Sequence, residues 1–191
     1  GEEYTLVAVA DYVLKHTPGN TVSNLSSSRA LKDVTEAYGQ QYHAAAVGEV
    51  NVVAEMKRTH SVIGGEGNGG VIYPESHYGR DALVGVGLFL SHYVAQSKKM
   101  TELKSTYPPY FISKNKMTLS PDMDVDKILE GLKERYATEK VTDIDGVKID
   151  FAQGWVHLRK SNTEPIIRIY SEAKDEAAAN AENDAKEKER I

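Results

Sequence analysis

The chain is 191 residues long, 40% hydrophobic and 27% charged, which provides apolar material for one large or two small cores and excludes disorder along its whole length. Its formal net charge of -5 excludes the broad basic face of a nucleic-acid-binding protein, so any positive site has to be local. With no cysteine there is neither a disulfide framework nor a thiolate metal site, and no apolar run reaches the ~20 residues of a membrane span, so a cytoplasmic protein is expected.

Leu6, Val7, Ala10, Val13 and Leu14 recur at spacings of three and four and predict an amphipathic helix over 4–14, closed by Pro18 and Gly19. A chain that opens in helical rhythm without an initiating Met is expected to begin inside a longer protein. Thr21 to Leu25 predicts a strand, and SSSRALKDVTEAYG predicts a helix ending at Gly39. Ala44 to Val47 and Ser61 to Ile63 predict further strands around a helix at Val50 to Lys57. The glycine cluster 64–70 follows, then a strand at Val71 to Tyr73 and a strongly apolar helix over Asp81 to Tyr93, expected to be buried on most of one face. This alternation indicates an α/β sandwich, a mixed sheet with flanking helices, over 1–107. The proline-containing, weakly periodic stretch 108–124 predicts a linker, and 125–191 a second, smaller domain. Within it, Val125 to Tyr136 predicts a helix and Val147 to Phe151, Trp155 to Arg159 and Ile166 to Tyr170 predict strands. The tail from Ala173, rich in Ala, Glu, Lys and Asn, has helix propensity but almost no large apolar residue.

Two segments carry chemistry. The cluster Gly64-Gly65-Glu66-Gly67-Asn68-Gly69-Gly70 formally contains GxGxxG, but β-branched residues and then Pro74 follow where a dinucleotide fingerprint needs a helix. A glycine-rich turn between strands is the plain reading. Glu66 and Asn68, an acceptor and a carboxamide two apart with Gly67 between them, are instead suited to vicinal sugar hydroxyls. In the second segment, alternation places Trp155, His157 and Arg159 on one strand face and sets Arg168 against Ile167 and Ile169. A hairpin closing on Ser161, Asn162 and Thr163 then collects two guanidinium groups, two hydroxyls and an amide, which suits a phosphate dianion better than a solvated turn. His77, Tyr78 and Arg80 follow the glycine loop and could line the same cleft, although a polar approach to the next helix explains them about as well.

Two other patterns carry no metal. Asp122, Asp124 and Asp126 alternate like a calcium loop, but Lys127 occupies the position that needs glycine, and these aspartates are expected to cap the helix at 125. The six histidines show no metal-ligand spacing.

Taken together, GGEGNGG and, about a hundred residues later, RKSNTEPIIR resemble the α-D-phosphohexomutases: phosphoglucomutase, phosphomannomutase and phosphoglucosamine mutase. The resemblance covers essentially the whole chain and implies the third and fourth of four domains, the third an α/β sandwich and the fourth a small TATA-binding-protein-like α+β domain. It further implies an isomerase that interconverts hexose 1-phosphate and 6-phosphate through a bisphosphate, using a phosphoserine and Mg2+ held in domains 1 and 2. By the same likeness Glu66, Gly67 and Asn68 bind sugar hydroxyls, while Arg159, Ser161, Asn162, Thr163 and Arg168 hold the non-reacting phosphate. Many members have Ser at the position of Asn68, and some bacterial members place a histidine or lysine near the positions of Glu49 and Ser26. The phosphoserine pattern TASHNP and the metal loop do not occur in this sequence, so no catalytic residue and no Mg2+ ligand is expected in this part, which alone should be inactive. The expected partners are a hexose phosphate and the protein's own domains 1 and 2. The segments VGEVNV and GRDALVG lean toward glucosamine phosphate. The alternative is a freestanding sugar-phosphate-binding module.

Overall fold

The computed structural model describes residues 1–119, 124–161 and 164–181, and the chain divides into two compact units, Gly1–Pro109 and Tyr110–Ile191. In the first unit α1 (Glu3–His16), β1 (Thr21–Asn24), α2 (Ala30–Ala37), β2 (Tyr42–Ala45), α3 (Glu49–Thr59), β3 (Ile63–Glu66), β4 (Gly70–Ile72), α4 (Ala82–Gln96) and α5 (Met100–Lys104) follow in order. The sheet order is β2-β1-β3-β4, with β1 parallel to β2 and β3, and β4 antiparallel to β3. This is the mixed sheet with flanking helices that the alternation predicts. All four residues of β1 are buried because helices cover both faces. Val22, Ala45 and Ile72 meet Val52 and Met56 of α3 on one side. On the other side Thr21 shares a hydrogen bond with Thr35 of α2 at 2.7 Å.

Two expectations for this unit are corrected. The third strand lies two residues later than the sequence suggests and runs into the glycine cluster, since a side chain at 64 would come within 2.5 Å of the Met56 sulfur and 2.9 Å of the Val22 carbonyl. Only glycine passes there, and the shift sets Glu66 at the strand's end. The second correction concerns α4, whose Leu83, Val86, Leu90 and Val94 are 84%, 55%, 53% and 74% exposed; only Gly85 and His92 are buried. The helix lies beside the edge strand β4, so a narrow strip touches the sheet, with Gly85 against Val71.

His92 belongs instead to a polar cluster. Its Nε2 lies 2.7 Å from the Tyr107 hydroxyl, which donates to Asp11 at 3.0 Å, and the Tyr38 hydroxyl donates to the same carboxylate at 2.6 Å. This network ties α1 and α2 to α4 and the segment after α5, and it satisfies groups that would be costly to bury alone.

In the second unit β5 (Phe111–Thr118), α6 (Val125–Arg135), β6 (Lys140–Thr142), β7 (Val147–Asp150), β8 (Gly154–Lys160) and β9 (Ile166–Ala173) follow, the strands forming a five-stranded antiparallel sheet of order β5-β9-β8-β7-β6. Residues 176–181 are helical. Met117, Val156, Leu158, Ile167 and Ile169 form the core beneath Val125 and Leu132 of α6. The α+β character agrees with expectation, but the stretch 108–124 is not simply a linker. Residues 111–118 pair with the whole of β9, from Phe111 opposite Ala173 to Thr118 opposite Ile166. Ser113, Lys114, Asn115 and Lys116 hide the strand from a hydrophobic pattern, because an edge strand can carry charge toward water. Asp124 caps α6 as expected, its Oδ1 accepting the Lys127 N–H at 3.1 Å, and Asp126 lies in the first turn. Asp122 lies outside the described residues.

His157 is 1% exposed and donates from Nε2 to the Asp145 carbonyl at 2.7 Å. Burial pushes its pKa down to about 4, so the folded state holds the neutral ring. A depressed histidine binds fewer protons folded than unfolded; its contribution is fully present above about 6.5 and is lost as pH falls toward 4. The full difference is about 3 kcal/mol. Urea unfolding of wild type and His157→Gln, a variant that keeps a donor, is expected to show a stability gap that narrows from neutral pH to pH about 4. A gap constant with pH would contradict this.

Candidate functional site

The glycine loop is a tight turn joining β3 to β4, closed by the Gly69 N–H on the Glu66 carbonyl at 3.2 Å, with Gly69 at φ +87. Glu66 closes the buried strand β3 and points inward, 5% exposed. Its Oε1 accepts from Asn24 Nδ2 at 2.9 Å and from the Gly48 N–H at 3.3 Å. Its Oε2 faces Arg80 Nη1, at 3.4 Å. One carboxylate oxygen is thus held by the scaffold while the other keeps acceptor capacity, which fixes the side chain's direction for a hydroxyl donor. Gly67 donates its N–H to Ser27 Oγ at 2.9 Å, and a side chain there would collide with the Glu3 carboxylate. Asn68 turns the other way: it is exposed, and its Oδ1 accepts the Gly70 N–H at 3.0 Å. Glu66 and Asn68 share one turn but do not converge as side chains.

Arg80 is the residue whose part the sequence left open. Its Nε donates to Glu49 Oε2 at 2.7 Å and its backbone N–H to Glu49 Oε1 at 3.1 Å, and the side chain crosses Gly70 to reach Glu66. The guanidinium thereby spans two carboxylates, and its hydrogen bonds hold the Glu49 carboxyl below its ordinary range. The signal available in the sequence was an arginine just ahead of the α4 cap Asp81; its partner Glu49, seventeen residues before Glu66, has none. His77 is tied to that cap, Nε2 to Oδ2 of Asp81 at 3.1 Å, and Tyr78 lies under Lys57.

In the second unit Arg159 of β8 sits directly opposite Arg168 of β9, so both side chains stand on one face. Ser161, 7% exposed, follows β8 and donates its N–H to the Ile166 carbonyl at 2.9 Å, closing the loop. Arg168 Nη2 meets Glu164 Oε2 at 3.1 Å, and the buried Nε of Arg159 has no hydrogen-bond partner among the described residues. Two cations side by side, one with an unused buried donor, are chemically suited to an anion with several acceptor oxygens. Asn162 and Thr163 lie outside the described residues.

The sequence matches the family model described as phosphoglucomutase/phosphomannomutase, alpha/beta/alpha domain III, over residues 2–110, and the C-terminal domain of the same family over residues 114–188. It is 37% identical over 178 residues to a phosphoglucomutase/phosphomannomutase of Thermococcus kodakarensis, covering 92% of this chain and 39% of that protein. It is also 37% identical over 161 residues to a phosphoglucosamine/phosphogalactosamine mutase of Sulfurisphaera tokodaii, covering 83% of this chain and 35% of that protein. Among solved structures, a phosphoglucomutase/phosphomannomutase family protein of Burkholderia thailandensis superposes with a TM-score of 0.79 at 22% identity, over 98% of this chain and 40% of that one. The chain thus spans about 40% of the length of the relatives it matches. With its first unit matching domain III and its second the C-terminal domain, the chain belongs to the phosphoglucomutase/phosphomannomutase family.

Proposed function

We propose that this chain is the substrate-binding C-terminal part of a phosphohexomutase that interconverts hexose 1-phosphate and hexose 6-phosphate through a bisphosphate. The observation that carries the proposal is the direct opposition of Arg159 and Arg168 at the mouth of the Ser161 loop. Like charges opposed across strands are unfavourable unless an anion lies between them. In this reading Arg159, Ser161, Asn162, Thr163 and Arg168 hold the phosphate that is not reacting. Glu66 accepts a ring hydroxyl through Oε2, and Gly67 and Asn68 complete that turn. Because the intermediate carries a phosphate at each end, the arginine pair has to grip either one; two guanidinium groups recognise a phosphate by its charge and oxygens, whichever carbon bears it, and suit that exchange.

The phosphoserine is assigned to domains 1 and 2, which lie outside the two family domains matched by residues 2–110 and 114–188. Mg2+ is assigned there as well, by the same family resemblance. When bound, the ion neutralises charge on the transferring phosphoryl group. Domains 1 and 2 are then the partners that complete the active site, and the cysteine-free composition suits a cytoplasmic location. The two relatives of equal identity carry different sugars in their names, so the substrate class proposed is hexose phosphates as a group.

A coupled assay tests the reading. The whole protein is expected to convert glucose 1-phosphate or glucosamine 1-phosphate to the 6-phosphate, and residues 1–191 alone to give no turnover, since binding groups do not replace an absent nucleophile. Turnover by the isolated chain, or only release of inorganic phosphate by the whole protein, contradicts it.

A further inference from the structure

We propose that Lys116 is a third cation of the phosphate site, one that captures the incoming phosphate from the edge of the sheet; the inference rests on the reading of the Arg159–Arg168 loop given above. In the register of the second unit, Arg159 of β8 faces Arg168 of β9, and Arg168 in turn faces Lys116 of β5. Residues directly opposed in antiparallel strands share a face and stand about 5 Å apart at Cβ, so the three cations form one row across three adjacent strands. Among the described residues Glu164 is the only carboxylate paired with this row, at 3.1 Å from Arg168, which leaves it with a net charge of about two. Lys116 is exposed and has no ion-pair or hydrogen-bond partner among the described residues.

Its neighbour on the same face, two residues earlier, differs. Lys114 is opposite Tyr170, and its ammonium lies 5.8 Å from the centre of that ring. That placement occupies Lys114 with a cation–π contact, one tier of about 7 Å further along the strand from the arginines. Lys116 is therefore placed for the phosphate by register rather than by general positive charge. An ammonium is a compact point charge on a flexible stem, so from the rim it attracts the dianion and follows it, while the two planar guanidinium groups fix its orientation. The charge acts most on the association rate and is screened by salt.

The test uses the whole protein and titrates inorganic phosphate and glucose 6-phosphate into wild type, Lys116→Gln, Lys116→Arg and Lys114→Gln, at low and at physiological ionic strength. Lys116→Gln is expected to weaken phosphate binding about fivefold at low ionic strength and to flatten its salt dependence. Lys116→Arg should restore both, and Lys114→Gln should change affinity by less than about twofold. Circular dichroism checks that each exposed-site variant is folded. Affinity for both probes unchanged in Lys116→Gln, with wild type binding normally, overturns the role of Lys116 and leaves the arginine site intact. Equal losses in the two lysine variants also overturn it, because they show a diffuse field. Absence of saturable phosphate binding in wild type overturns the underlying reading, and this inference with it.

Discussion

Arg159→Gln combined with Arg168→Gln in the whole protein is expected to raise KM for a hexose phosphate by about 100- to 1,000-fold while changing kcat by less than about tenfold. Each guanidinium offers charge-assisted hydrogen bonds of about 1.5–3 kcal/mol, and removing both guanidinium groups at once sets the scale. The loss falls on KM because the gripped phosphate keeps its charge from ground state to transition state, so the two arginines bind both about equally. The fold should not suffer. Removing two opposed like charges relieves repulsion across β8 and β9, and Glu164, freed from Arg168, sits on an exposed loop where its charge is solvated. A thermal midpoint at or above that of wild type, with binding abolished, is the expected combination. A lowered midpoint with normal KM would make the pair structural.

Glu66→Gln is expected to lower kcat by about 10- to 100-fold with a smaller change in KM, and to reduce discrimination between hexose phosphates. The substitution is chosen for what it preserves. Glu66→Ala would leave the buried Asn24 amide and the Gly48 N–H without their acceptor, and the resulting loss of stability would mask any effect on turnover. Glutamine keeps the shape and an oxygen for Asn24 and Gly48, but it removes the negative charge from the atom assigned to the sugar. Arg80 retains Glu49 at 2.7 Å, so it stays in place. A hydroxyl bound less strongly leaves the ring less well oriented, and positioning errors are felt in the chemical step. Unchanged kcat and unchanged sugar preference in a folded Glu66→Gln protein would remove Glu66 from the proposed substrate contacts.

How far the sequence reveals these sites depends on whether local rules decide the geometry. Strand alternation was sufficient to put Arg159 on the face opposite Val156 and Leu158, and a short loop required its hairpin partner to bring Arg168 alongside; the ladder has them directly opposed. The Asp124 cap follows from side-chain reach alone. Other features depend on contacts between segments far apart in sequence. Asp11, Tyr38, His92 and Tyr107 each look like ordinary surface polar residues until three helices bring them together. Glu49 and Arg80 acquire meaning only because the turn at α3 and the approach to α4 flank the same strand end. The edge strand β5 escapes because five of its eight side chains are polar, and α4 is expected to be buried on most of one face because its residues are apolar, although its position beside one edge strand leaves many of them uncovered. Periodicity reports which residues share a face; it does not report whether anything covers that face.

The most direct test of the account is an amide NMR titration of the chain with glucose 6-phosphate, compared with the same titration of the Arg159→Gln/Arg168→Gln variant. Saturable shifts are expected, largest at the Ser161 and Arg168 amides, smaller at Glu66 and Gly67, and absent in the variant. Shifts confined to residues 64–70, or undiminished in the variant, would contradict it.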